Sequence, residues 1–210
     1  MSTRGLGQYD AEYAHCSCFW GTEPSKYVKL VTSNAANGVA LDLGAGEGKN
    51  AIFLAHLGYH VIAVECSSYA IRNFRNRLRA CPAEESARIQ IVETDARVFD
   101  SNQQFDVVIA YGLLHCLPSM QDLVALVNKM KVLTTMSGIN VLATFTKTLP
   151  VPQVQDYLEP TLIEEGYLLA IYSDWLIESH ENDIIEESHP TSWSVHKHSI
   201  ERLIARKAFK

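Results

Sequence analysis

The chain has 210 residues, enough for one well-filled core, and a single α/β domain is the default for that length. Its apolar fraction of 47% and charged fraction of 20% are those of an ordinary globular protein. A net charge of −6 argues against a nucleic-acid partner, and no apolar run approaches the roughly 18 residues of a membrane span. The N-terminus lacks the apolar core of a secretory signal. The five cysteines Cys16, Cys18, Cys66, Cys81 and Cys116 fit no zinc or redox spacing, so reduced thiols in a cytoplasm are expected.

Residues 1–36 precede the first strand and read as an N-terminal helical segment. Strand and helix then alternate. Val39–Leu43 is a short apolar strand. Lys49–Leu57 has helical spacing, with Ile52, Phe53, His56 and Leu57 on one face, and Gly58 stops it. His60–Glu65 is a second strand. Ser67 and Ser68 are N-cap candidates for a helix running to about Ala80. Arg88–Glu93 reads as a third strand. Arg72, Arg75, Arg77 and Arg79 form a local basic run, read as a solvated helix face.

Phe105–Ala110 is wholly apolar except for Asp106, as suits a central parallel strand. Ser119 caps a helix whose stripe is Leu123, Leu126, Val127 and Met130, and Gly138–Thr146 is a fifth strand. After a short helix in "GYLLAIYSDW", two long extended segments meet in a turn near His189 and Pro190. The repeated alternation means right-handed βαβ units in a doubly wound sheet, and the final pair suggests an antiparallel hairpin at its edge.

"LDLGAGEG" places Gly44, Gly46 and Gly48 at the end of the first strand. Lys49 stands where a dinucleotide-binding G-x-G-x-x-G needs its third glycine. Leu43 and Asn50 break a phosphate-binding P-loop. A purely structural turn does not need three glycines in five residues.

The motif resembles that of class I S-adenosylmethionine-dependent methyltransferases. Glu65 ending strand two, "TDA" at Thr94–Ala96 and "FDVVIAYGLLHCLP" at Phe105–Pro118 extend the resemblance over most of the chain. Within the class, "EGKNAIFLAHLGYHVIAVE" is similar to the tellurite-resistance type and related small-molecule methyltransferases. The resemblance implies a Rossmann-like α/β fold, a doubly wound seven-stranded sheet with an antiparallel C-terminal hairpin. It implies one methyltransferase domain over 1–210, with residues 1–36 as a helical lid over the cofactor and residues 37–210 as the α/β core.

The resemblance also implies S-adenosylmethionine as cofactor and a role for each site residue. Gly44, Ala45 and Gly46 let main chain approach the ligand. Asp42 orients the loop and meets the methionyl ammonium. Glu65 accepts from the two ribose hydroxyls, Cys66 and Ser67 lie beside the adenine, and Asp95 and Ala96 read its edge. Ala110 and Tyr111 flank the sulfonium, and Tyr13 and Trp20 wall the transfer chamber from the lid, where aromatic faces favour a cation. His115, just after strand four, is the candidate general base, with Tyr111 and Tyr13 as further catalytic candidates.

His196 and His198 alternate on one strand and would share a face with His180 or His189. Exposed edge-strand histidines are the commoner outcome, and no metal is expected. The acceptor expected is a small molecule with a sulfur, selenium, tellurium, nitrogen or oxygen nucleophile, without nucleic acid or membrane. Two other readings remain: a non-catalytic S-adenosylmethionine-binding subunit and a nicotinamide-dependent oxidoreductase. The oligomeric state and the acceptor are not legible in the chain.

Overall fold

The computed structural model describes residues 9–31, 38–151, 161–187 and 195–208. The helices are α1 (Asp10–His15), α2 (Lys49–His56), α3 (Ser68–Leu78), α4 (Ala83–Ala87), α5 (Met120–Leu133) and α6 (Tyr167–Ile171). The strands are β1 (Val39–Leu43), β2 (His60–Glu65), β3 (Ile89–Glu93), β4 (Phe105–Tyr111), β5 (Thr134–Phe145), β6 (Leu176–Glu187) and β7 (His196–Arg206). They form one sheet in the order β3-β2-β1-β4-β5-β7-β6. The first five strands in that order pair in parallel, and β7 pairs antiparallel with both β5 and β6. The doubly wound seven-stranded sheet with its C-terminal hairpin is therefore present. The predicted turn at His189 and Pro190 lies outside the described residues.

Alternate residues of the central strands enter two separate cores. Leu41, Val108, Ala110, Leu142 and Leu203 pack on one face against Leu123, Leu126, Val127 and Met130 of α5. Ala40, Val107, Ile109, Val141 and Ile204 pack on the other against α2 and Phe74 of α3. Burial on both faces explains why these strands read as apolar runs rather than alternating ones.

Two predicted elements differ in detail, and one element is additional. The face of α2 that is fully buried carries Ala51, Leu54 and Ala55, whereas Ile52, Phe53 and Leu57 pack at its margin. Small alanines let the helix axis approach the sheet, and the larger side chains then fill its flank. The short α4 was not anticipated, because five residues give hardly any periodicity to read. Strand β5 begins at Thr134 rather than Gly138, since its register against β4 shifts between Phe105 and Val107 and Ser137 adopts a φ of 64°. Ser67 and Ser119 do cap α3 and α5, accepting from the amides of Ala70 and Asp122. No helix among the described residues is long and apolar enough to cross a membrane.

Candidate active site

Strand order reverses between β1 and β4, where β1 has its sequence neighbour β2 on one side and the later β4 on the other. Open α/β sheets hold ligands outside the strand C-termini at such a point. A cavity of about 360 Å³ lies here. Gly44, Ala45, Gly46 and Glu65 form its floor, and Tyr111 and His115 follow from β4. Tyr9, Tyr13 and Trp20 cover it from the N-terminal segment, and Ile185, Glu187, Ile200 and Arg202 close it from the hairpin. A smaller cavity of about 50 Å³ adjoins it, sharing Gly44, Glu65, Cys66, Leu113 and Cys116 and adding Asp95 and Ala96.

Glu65 organises the floor. Its Oε2 accepts from the Gly46 amide at 2.8 Å, and its Oε1 accepts from the amides of Cys66 at 2.9 Å and Ser67 at 2.8 Å. A carboxylate offers about four lone-pair sites. A ribose diol would therefore share Glu65 with the protein's own main chain. Gly46 has a φ of +54°, and a Cβ there would stand 3.1 Å from the Tyr13 hydroxyl.

Asp42 lies beneath the loop rather than in it. It is 1% exposed, accepts from the Ala51 amide, and is not among the residues lining either cavity. That position leaves direct contact with a ligand ammonium unsupported. Burial, with the neighbouring Glu65 charge, pushes its carboxyl up to about 7. A folded-state pKa above the unfolded one means that the native state holds the proton more tightly. This contribution is present at low pH and is lost as pH rises through about 7. Asp42→Asn removes the penalty, on the order of 1–2 kcal/mol after relaxation. The expected result is a melting temperature raised by about 2–8 °C at pH 8 and unchanged at pH 4. Thermal scans of both proteins at the two pH values check it.

The N-terminal residues are tied to the loop by polar groups outside the expected site. Glu47 Oε1 accepts from the Cys18 amide at 2.7 Å and from Asn73 Nδ2 at 2.9 Å. Asn50 Oδ1 accepts from the Ser25 amide, Lys49 Nζ donates to the Trp20 carbonyl, and Arg77 donates to the Glu47 carbonyl. Arg77 thus leaves the solvated basic face predicted for it and lines the cavity. The Tyr13 hydroxyl accepts from Trp20 Nε1 at 3.0 Å, and burial raises its pKa well above the ordinary tyrosine value. Tyr13 is thus a neutral wall group at physiological pH rather than a base. Over residues 9–31 the N-terminal segment has one helix, Asp10–His15, a single 3₁₀ turn at Val28–Leu30 and otherwise irregular chain.

His115 differs most from its expected role. It is 4% exposed and stacks on Phe145 with ring centroids 4.0 Å apart. Its Nδ1 lies 3.3 Å from the Phe145 amide, which donates to it, and this assigns the ring proton to Nε2. Burial lowers its pKa to about 3. An effective general base titrates near the working pH, and an imidazole held this low is a weak base. Tyr111 accepts from Arg202 Nε at 3.1 Å, while the side chain of Ala110 points into the core behind it. Asp95 pairs with Arg97 at 2.6 Å, so an adenine amine would meet a carboxylate already held in place.

Residues 41–139 match a family described as "Methyltransferase domain". No curated protein matches the chain in sequence. Among solved structures, TehB from Haemophilus influenzae superposes with a TM-score of 0.75 at 19% identity, covering 97% of this chain and 67% of that one. A Methanosarcina mazei protein described as a SAM-dependent methyltransferase gives 0.68 at 15% identity, over 90% and 100%. A protein solved in work on conversion of a disulfide bond into a thioacetal group during echinomycin biosynthesis gives 0.68 at 23% identity, over 95% and 91%. Residues 41–139 are thus similar to a methyltransferase domain, and the seven-stranded sheet has the fold of TehB and of the Methanosarcina mazei protein.

Proposed function

We propose that this protein moves the methyl group of S-adenosylmethionine to a small-molecule acceptor with a soft nucleophile, a thiol or a heavier chalcogen. The observation that carries the reading is the lidded cavity at the switch point. Its volume is within the roughly 300–1,000 Å³ usual for small-molecule sites. The glycine loop and Glu65 supply the cofactor floor. The smaller cavity beside Cys66, Asp95 and Ala96 supports placing the adenine there, once side chains such as Leu113 move to widen it. Tyr13, Trp20 and Tyr111 then surround the sulfonium, where aromatic faces stabilise a cation by about 0.5–2 kcal/mol.

Methyl transfer is an in-line displacement, and the cofactor supplies an already activated methyl group. The chain's own residues align the acceptor and exclude water. The weak basicity of the buried His115 favours an acceptor that needs no base, which supports sulfur over oxygen or a protonated amine. The similarity to the protein from the thioacetal work agrees with sulfur chemistry.

The test is a panel of thiols, selenite, tellurite, phenols and amines, read by release of S-adenosylhomocysteine. Thiols or chalcogen anions should turn over, and turnover only on a polypeptide or nucleic acid would overturn the proposal. On the accepted substrate His115→Gln should retain turnover within about threefold, whereas loss of a true general base costs about 10²–10⁴-fold.

A further inference from the structure

At the far wall of the chamber, the last described residue of β6 and the first of β7 face each other. Glu187 pairs with His196 across the ladder, and His198, two residues on, shares the face of His196. Strand β7 lies between β5 and β6, so these histidines are not at a solvated edge as expected, and His198 is 5% exposed. Nor do they meet His180, which pairs with Glu201 at 2.9 Å instead; His189 lies outside the described residues.

The Nε2 atoms of His196 and His198 each stand 3.9 Å from Glu187 Oε2, and the three ligand atoms all lie within 4.8 Å of one another. A separation of 3.9 Å is too long for a hydrogen bond and leaves space for one atom between the groups. A tetrahedral zinc ion with bonds of about 2.0–2.1 Å spaces its ligands about 3.3–3.4 Å apart, so each nitrogen–carboxylate contact closes by only about half an ångström. The rings are already fixed: His198 stacks on Phe145 at 4.0 Å and meets His196 edge-on at 5.0 Å.

We propose that Glu187, His196 and His198 hold one divalent ion of the zinc type at the chamber wall, with its fourth position open to the acceptor. Two imidazoles and one carboxylate are the donor set of a site that keeps an open position. Glu187 itself lines the cavity, alongside Ile185, Ile200 and Phe145. The assignment of the fourth position rests on the methyl-transfer reading, whereas the metal site does not. An acceptor thiol entering that position loses its proton to solvent as the metal–sulfur bond forms. The sulfur lone pair then forms the bond to the methyl carbon as the carbon–sulfonium bond breaks, releasing S-adenosylhomocysteine.

The experiment uses the full chain stripped with chelator, dialysed, and titrated with Zn²⁺ or Co²⁺ in the absence of cofactor. One ion per chain should bind, and the Co²⁺ form should show the intense visible absorption of a tetrahedral site. Glu187→Gln and His196→Asn should each weaken binding by at least tenfold. Stripped wild-type protein provides the reading even if a variant misfolds. Azide and a small thiol should each shift the Co²⁺ spectrum by entering the fourth position. Substoichiometric binding, or equal affinity in His196→Asn, overturns the metal site. A spectrum unmoved by both probes overturns the open position. A parallel titration with S-adenosylmethionine separates failure of the metal site from failure of the methyltransferase reading.

Discussion

Glu65→Ala should lower the affinity for S-adenosylmethionine and S-adenosylhomocysteine by at least about 100-fold and leave a folded protein. The carboxylate accepts from three amides, and one of them, Gly46, belongs to the glycine loop. Each charge-assisted hydrogen bond contributes about 1.5–3 kcal/mol net. The variant loses the bonds to ligand hydroxyls and, with them, the acceptor that holds the loop where a ligand needs it. Glu65→Gln should fall between, because an amide keeps one acceptor oxygen but presents a donor where the second stood. Isothermal titration gives the affinities, and thermal unfolding checks the fold. A loss under about threefold for the alanine variant would contradict the role of Glu65.

Gly46→Val should abolish measurable cofactor binding, a loss above about 10³-fold. The backbone there has a φ of +54°, and a β-branched residue in that region is strained by about 1–2 kcal/mol. Its Cβ would stand 3.1 Å from the Tyr13 hydroxyl, and its two methyl groups would enter the cavity that Gly46 lines. Relief requires the loop to turn, which pulls the Gly46 amide from Glu65. The two substitutions therefore act on one unit, and the double variant should be little worse than Gly46→Val alone, a non-additivity that a double-mutant cycle measures. Retained affinity would make the loop a turn and nothing more.

The parts of this site that were legible in the sequence are those built by local pattern. Three glycines after an apolar run, an acid ending β2 and an acid after β3 are each fixed by their place on a strand. Strand period and turn chemistry suffice to read them. The helix caps Ser67 and Ser119 were readable for the same reason. What escaped depends on long-range contact. Glu47 and Asn73 were unremarkable polar residues until the lid lay across them. Arg202 and Glu187 reach the chamber only because β7 inserts between β5 and β6, and no spacing in the chain encodes that order. His115 shows the converse. Its position after β4 was read correctly, but its protonation is set by burial and by the Phe145 amide thirty residues away. Identity and spacing place a group near the chemistry, while the packing around it decides which proton it holds.

The central claim is that the glycine loop and Glu65 form a floor for S-adenosylmethionine. The most direct test is isothermal titration of the full chain with S-adenosylmethionine, S-adenosylhomocysteine, NAD and ATP under one set of conditions. Saturable one-to-one binding of the first two, with no response to NAD or ATP, is the predicted result. Binding of NAD in preference to S-adenosylmethionine, or no binding of either sulfur compound, would contradict it.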